Sequence, residues 1–342
     1  MKGTIKIFCW GMVLFGFYEG FLLGQTAEKE PQERLRLVSA DSLLSVSEND
    51  KVVWQLLGNV QMVQGEAFIS CDEARWWEKN DKIFLSGEVT IYDGKHTLRS
   101  DRVHYDGNTR METASGRVTL ETGQRKLTSH RLDYYQEKEL ASAYGNVVIT
   151  DFIERATLTG ERANYDRGLD YGVVEGRSRL VKVDSTFGER MIVRGLKMEV
   201  WGEEQRVLVT DSVKIEKDHL KALCQKAEYR SREDLLILEE APVVWHWDEE
   251  AVSADSTFMN VLKGRRIVVE ARKDTIREVV VEGQASSLYH IFDEDEKLQG
   301  VNSITGDRIV LTFGKDRLER VEVESEPSQC MGVYTPGNKR MK

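Results

Sequence analysis

The feature that most restricts the fold of this chain is a recurrence. A corner of the form Gly-x-Val-x-apolar appears as Gly58-Asn59-Val60-Gln61-Met62, Gly87-Glu88-Val89-Thr90-Ile91, Gly116-Arg117-Val118-Thr119-Leu120 and Gly145-Asn146-Val147-Val148-Ile149, with 29 residues from each glycine to the next. Later copies lose the glycine and keep the beat, as in Asp211-Ser212-Val213-Lys214-Ile215 and Ala241-Pro242-Val243-Val244-Trp245. A second landmark sits about fourteen residues after each corner: Asp72 to Trp76, Asp101 to Tyr105, His130 to Tyr134 and Glu161 to Tyr165, returning at Gln225 to Tyr229. The beat slackens near Gly176 and again between Asp255 and Asp307. Self-similarity at a fixed period is the mark of a supersecondary unit stacked on copies of itself.

Both landmarks alternate apolar with polar residues, the period of a strand with one dry face and one wet face. Turn signals lie between them, at Asp93-Gly94, Asp106-Gly107, Thr122-Gly123 and Asp166-Arg167-Gly168. Asp-Gly tolerates the positive φ angles that tight hairpins demand. The spacing predicts an all-β chain of about 29-residue, two-strand repeats in an antiparallel meander. The alternative is a parallel β-helix with one coil per unit. On either topology an apolar column faces inward: Val60, Met62, Val89, Ile91, Val118, Leu120, Val147 and Ile149, continued by Val213 and Ile215. An aromatic column, Trp76, Tyr105, Tyr134, Tyr165 and Tyr229, is either a structural ladder or a set of contacts to an amphipathic ligand.

With 342 residues, 40% of them hydrophobic, the chain can build one large core or two ordinary ones. Charges of both signs are finely mixed and the net charge is −10. That balance argues against a nucleic-acid partner, whose phosphates are met by clustered Lys and Arg. The first residues follow the order of a secretory signal, with Lys2 and Lys6, an apolar run from Ile5 to Tyr18, then small or polar residues after Leu23. Residues 1–24, or 1–27, are therefore expected to be a cleaved signal. Its removal takes away Lys2, Lys6 and Glu19, a net +1, leaving −11. An N-terminal linker (25–38), the β repeats (39–282) and an irregular final repeat with a closing hairpin and tail (283–342) would follow. Within the last part, Asp293 to Gly300 reads as an exposed loop, and Pro336 as the end of the final pairing.

The sequence offers no catalytic signature and no expected cofactor. Its six histidines lack the spacing of a zinc site, and there is neither a GxSxG elbow nor a phosphate-cradling GxxxxGK. Acids recur once per unit at Asp72, Asp101 and Glu161, with His130 interrupting the column. A regular ladder is what a structural position produces, so no catalytic residue and no metal ligand is assigned. The cluster Asp293 to Glu296 lacks the ordered ligand frame of a cation site. Cys71, Cys224 and Cys330 are too widely spaced for a disulfide framework. They read as single buried thiols, or with one Cys224–Cys330 bridge.

The Gly-Asn-Val corners at Gly58 and Gly145, the D-x-[AVL]-x-[YW] strands between corners and the signal-like start resemble the OstA-like or LptA-like family, periplasmic proteins of lipopolysaccharide export. The likeness covers roughly residues 39–325. It implies a long antiparallel V-shaped β-jellyroll, with the apolar column lining a lipid groove and the aromatic column as candidate groove contacts. It also implies a non-enzymatic periplasmic carrier of lipopolysaccharide or a related glycolipid, and possible association with the outer membrane. Partners would be other jellyroll domains of the export bridge, the outer-membrane assembly protein and further copies of this chain, all through edge strands. The chain is longer than the usual bridging unit and lacks the outer-membrane barrel of the assembly protein. Two other classes compete: a secreted β-solenoid scaffold or adhesin without lipid, and a polysaccharide-active enzyme.

Overall fold

The computed structural model describes residues 35–48, 51–77, 81–183, 190–217, 219–247, 258–272, 275–292, 298–314, 317–326 and 330–337. The expected signal, most of the expected linker and the cluster Asp293 to Glu296 lie outside these residues. The chain divides into two compact units, one ending at Ser178 and the other beginning at Arg179.

The first unit holds β1 (Arg36–Ser39), β2 (Ser42–Glu48), β3 (Lys51–Gln64), β4 (Ala67–Trp77), β5 (Lys82–Tyr92), β6 (Thr97–Asp106), β7 (Met111–Glu121), β8 (Arg125–Tyr135), β9 (Leu140–Asp151) and β10 (Ala156–Asp166), with β11 (Tyr171–Val183) crossing the boundary. From β3 to β10 each strand pairs antiparallel with the next. No parallel pairing occurs among the described strands of either unit, so the fold is the antiparallel jellyroll and not the β-helix. Helical structure among the described residues amounts to two short 3-10 turns, at Gln136–Lys138 and Ser231–Glu233.

A corner bends each of these strands near its middle. Ser86 faces Arg102 and Val89 faces Ser100, so Gly87 and Glu88 stand opposite Asp101 alone. Both corner residues are left-handed, Gly87 at φ +77° and Glu88 at +43°. Two residues against one, a single extra residue in this conformation, bend a strand and sharpen its twist. The same pair of left-handed residues recurs at Gly58-Asn59, Gly116-Arg117, Gly145-Asn146 and Gly176-Arg177, so the beat that slackens in the sequence near Gly176 continues in the structure. Each strand thus gives one half to each of two walls.

The second unit repeats the plan with β12 (Arg190–Trp201), β13 (Arg206–Lys217), β14 (Leu220–Arg230), β15 (Leu235–Glu239), β16 (Val243–Trp247), β17 (Met259–Lys263), β18 (Arg266–Arg272), β19 (Thr275–Phe292), β20 (Leu298–Gly314), β21 (Arg317–Glu324) and β22 (Met331–Pro336). Here the split into walls is explicit. The first half of β14 pairs with β16 and the second half with β15, while β17 and β18 take opposite halves of β19. Between β15 and β16 the corner falls on Glu240-Ala241, one residue earlier than the repeat pattern predicts, and places Pro242 at the buried position. The closing hairpin forms as β20 and β21, and Pro336 is the last residue of β22 in register, against Gly300.

The core is laid down in rows running across the strands. On one wall of the first unit Leu56, Ala74, Leu85, Val103, Ala114, Leu132, Ala143 and Ala163 are successive cross-strand partners, all buried. On the other wall Met62, Ile69, Ile91, Leu98, Leu120, Leu127, Ile149 and Leu158 form a second buried row. The second unit has its own, Met198, Val209, Ala227, Leu238, Ile267, Val281 and Ile309. In such rows the stabilising unit is the cross-strand pair, and one apolar residue per strand extends it indefinitely.

Candidate functional site

All ten residues of the predicted apolar column are buried and none exceeds 7% exposure. Eight of them line the first unit and Val213 and Ile215 the second. They supply the dry face of the wall beyond the corner, with the valines nearest the bend and the larger Met, Ile and Leu residues one step out.

The aromatic column is one row only in part. Trp76, Ile83, Tyr105, Glu112, Tyr134, Ala141 and Tyr165 are successive cross-strand partners from β4 to β10. This row lies one rung inside the turns that join β6 to β7 and β8 to β9. Tyr105 is buried, Trp76, Tyr134 and Tyr165 are half-buried, and the Tyr165 hydroxyl donates to Asp170 at 3.2 Å. Tyr229 belongs to the second unit, where its row partners are the aliphatic Val207 and Leu236. Four of the five predicted aromatics therefore come together, and the fifth stands in an aliphatic row.

Glu112, in the middle of that row, is a residue that sequence reasoning missed. It is 2% exposed and neither carboxylate oxygen has a hydrogen-bond partner. Burial pushes its carboxyl up to about 8, so at neutral pH it is mostly the neutral acid. An unsatisfied buried polar group costs about 1–3 kcal/mol. Two other acids of the same unit are equally buried but hydrogen-bonded. Asp133 accepts from Thr113 Oγ1 at 2.9 Å and Arg131 Nε at 2.8 Å; Asp151 accepts from Arg125 Nε at 2.7 Å and from the amides of Ile153 and Glu154. A signal for Glu112 was present in the repeat: Trp54, Ile83, Glu112 and Ala141 are spaced by 29, and Glu112 alone among them carries a charge-bearing group.

The acid ladder is structural in its geometry. Asp41, Asp72, Asp101, His130 and Glu161 each lie against the corner glycine of the next bent strand, Gly58, Gly87, Gly116, Gly145 and Gly176, where a Cβ would overlap their side chains. The second corner residue can add a hydrogen bond: Asn59 donates to Asp41 at 2.9 Å, Arg117 to Asp101 at 2.8 Å, and Asn146 to His130 at 3.3 Å. At the Asp211-Ser212 corner, which lacks glycine, the contact comes from the following strand instead, where Gln225 Oε1 accepts from the Ser212 amide at 3.0 Å. The two landmarks of the repeat are thus the two halves of one contact. Among the described residues no three His, Cys, Asp or Glu are grouped to hold a metal ion.

Cys71 and Cys224 occupy the inner corner position filled elsewhere by Ser100 and Ser129. Cys71 Sγ donates to the Glu73 carbonyl at 3.2 Å, as Ser100 Oγ does to Arg102 at 3.1 Å and Ser129 Oγ to Arg131 at 3.0 Å. Each thus satisfies a carbonyl near the bulge. Cys71, Cys224 and the exposed Cys330 are all free, so there is no Cys224–Cys330 bridge.

Residues 32–166 match the family described as OstA-like protein. The likeness to an OstA-like domain covers this span and not the whole chain. The matched span ends on Asp166, the last residue of β10, and so contains the complete aromatic row, Glu112 and four of the five glycine corners of the first unit. The second unit lies outside the matched span of the OstA-like domain and repeats its corners and rows. A similar solved structure is that of LptH, the LptA homologous periplasmic component of the conserved lipopolysaccharide transport device from Pseudomonas aeruginosa. It is 12% identical over 48% of this chain and 92% of that chain, with a TM-score of 0.23. A search of curated proteins finds no match. Among the described residues no helix is long and apolar enough to cross a membrane.

Proposed function

We propose that the protein is a non-enzymatic periplasmic carrier that shields the acyl chains of lipopolysaccharide, or a related glycolipid, between its two walls on the way to the outer membrane. The observation that supports this reading is the uniformity of the inner rows, one apolar residue per strand at constant pitch. Burying a methylene is worth about 0.8 kcal/mol, so a dozen give on the order of 10 kcal/mol. Held in one deep pocket, a lipid would not move. Along equivalent rungs it has successive positions of similar energy and steps between them when pushed by a motor elsewhere. The walls part at the rim of turns opposite the corners, acyl carbons replace side-chain contacts, and the headgroup stays in water. Trp76, Tyr105, Tyr134 and Tyr165 stand near that rim, where a ring can face a chain.

End-to-end contact with other jellyroll domains, with the outer-membrane assembly protein or with a second copy would use the terminal edges. At the N-terminal edge Leu43 is 52% and Leu44 49% exposed, and on β22 Met331, Val333 and Tyr334 are exposed. Edge strands with free backbone groups and exposed apolar side chains suit strand addition.

The burial of every inner residue favours a second reading, a β-scaffold whose interior stays closed and takes no lipid. A photo-crosslinker at Val89 or Val118 separates the two. Capture of lipopolysaccharide in cells supports the carrier, and repeated failure with the folded protein overturns it.

A further inference from the structure

We propose that Glu112, set between Tyr105 and Tyr134 on the inner row, is a polar station that hydrogen-bonds the hydroxyl, amide or ester linkage of an acyl chain, where chain joins headgroup. The inference rests on the carrier reading and names the part of the lipid that one rung of the interior recognises.

Three observations converge on it. The carboxyl is buried with both oxygens unpartnered, while Asp133 and Asp151, as deeply placed in the same unit, each accept hydrogen bonds from arginine and from threonine or backbone amides. Such a group is unfavourable unless something pairs with it, and an apolar residue of similar shape would fit the wall better. Its 29-residue relatives Trp54, Ile83 and Ala141 show that the position itself asks for an apolar residue.

Depth is the third. Met111, next to Glu112, pairs with Asp106 at the turn, and Asn108, Thr109 and Arg110 of that turn are exposed. One rung below this water-facing rim is where the linkage of an amphipathic lipid comes to rest if its headgroup stays outside and its chains run inward. As a neutral acid, Glu112 offers one O–H donor and one carbonyl acceptor. A hydroxyl or an amide satisfies both, an ester carbonyl satisfies the donor, and a plain alkyl chain satisfies neither.

The test uses the purified full chain and two amphiphiles with one sugar headgroup and one chain length, a dodecanoyl amide and a dodecyl ether, titrated by calorimetry below micelle formation at neutral pH. The wild type is expected to bind the amide about three- to tenfold more tightly, the range of one net hydrogen bond. Glu112→Leu should abolish that preference while keeping the ether's affinity, and Glu112→Gln, which still donates and accepts, should retain it. An unchanged preference in the folded Leu variant overturns the proposal and leaves the carrier standing. Failure of the wild type to bind either amphiphile overturns both.

Discussion

Asp101 and Gly116 share one space. A Cβ on Gly116 would lie 2.3 Å from Asp101 Oδ2, the glycine sits at φ +76°, and the neighbouring Arg117 donates to Asp101 Oδ1 through Nε at 2.8 Å. The corner needs glycine twice over, for its left-handed backbone and for the room its neighbour takes. Gly116→Ala should therefore destabilise by about 2 kcal/mol or more, with left-handed strain alone accounting for ~1 kcal/mol. Asp101→Ala should relieve the steric part, so urea melts of the two single variants and the double variant should be non-additive. Strict additivity would mean that the contact is not shared.

Stability should fall as pH rises from about 5 to about 8 because of Glu112. Its folded value is raised to about 8 from an ordinary 4.5, so in that window the unfolded chain binds fewer protons than the native one. The contribution is complete below the unfolded value and lost through the folded one. The side chains flanking it, Tyr105 and Tyr134, are themselves raised, chiefly by burial, and do not ionise there. Glu112→Gln should flatten the decline in urea midpoint between pH 6 and pH 9. An equal slope in the variant would assign the effect to another group.

Below pH 4.5 the sign reverses. Hydrogen bonds from Lys82, Lys126 and Arg194 hold Asp106, Glu121 and Glu216 below the usual carboxylate range. Stability that these groups provide above their unfolded values is lost as pH falls through the folded ones. Each side chain is partly exposed, so each effect is small. Thermal melts should show a maximum at about pH 5 to 6, and raising salt should weaken the acid limb.

Thiol chemistry should distinguish the cysteines. Burial pushes Cys71 up to about 11 and Cys224 up to about 12, while Cys330 is exposed. At neutral pH an alkylating reagent should modify Cys330 quickly and Cys71 and Cys224 only after unfolding, as peptide mapping would show. Cys71→Ser should be nearly neutral, because Ser100 and Ser129 already make the same bond to a carbonyl. Cys71→Val should cost about 1 kcal/mol through the Glu73 carbonyl left bare.

Lysines at Leu43 and Leu44 should suppress strand addition at the N-terminal edge. Light scattering over a concentration series should show less end-to-end association for this variant at unchanged melting temperature. Unaltered association would move the contact away from β2.

The antiparallel meander, the inward rows and the unit length were legible in the sequence, because strand period and the special backbone of corners act on neighbouring residues. The reading of Asp72, Asp101 and Glu161 as a structural ladder was legible too, from regularity alone. Their partner was not. The corner at Glu240-Ala241 was misplaced by one residue because Pro242-Val243 imitates the apolar beat, and Tyr229 kept the motif while its row turned aliphatic.

The sequence by itself determined where this chain bends and which face of each strand is dry, since both follow from side-chain alternation and from what glycine alone tolerates. Only the tertiary structure decided that each glycine bend of the first unit is locked by a side chain from the segment before it, that Cys71 does the work of a serine, and that Glu112 stands without a partner while Asp133 and Asp151 are hydrogen-bonded. Residues some fifteen positions apart meet only after strands pair in register, and whether a buried carboxyl is satisfied depends on every atom around it, which no linear pattern contains.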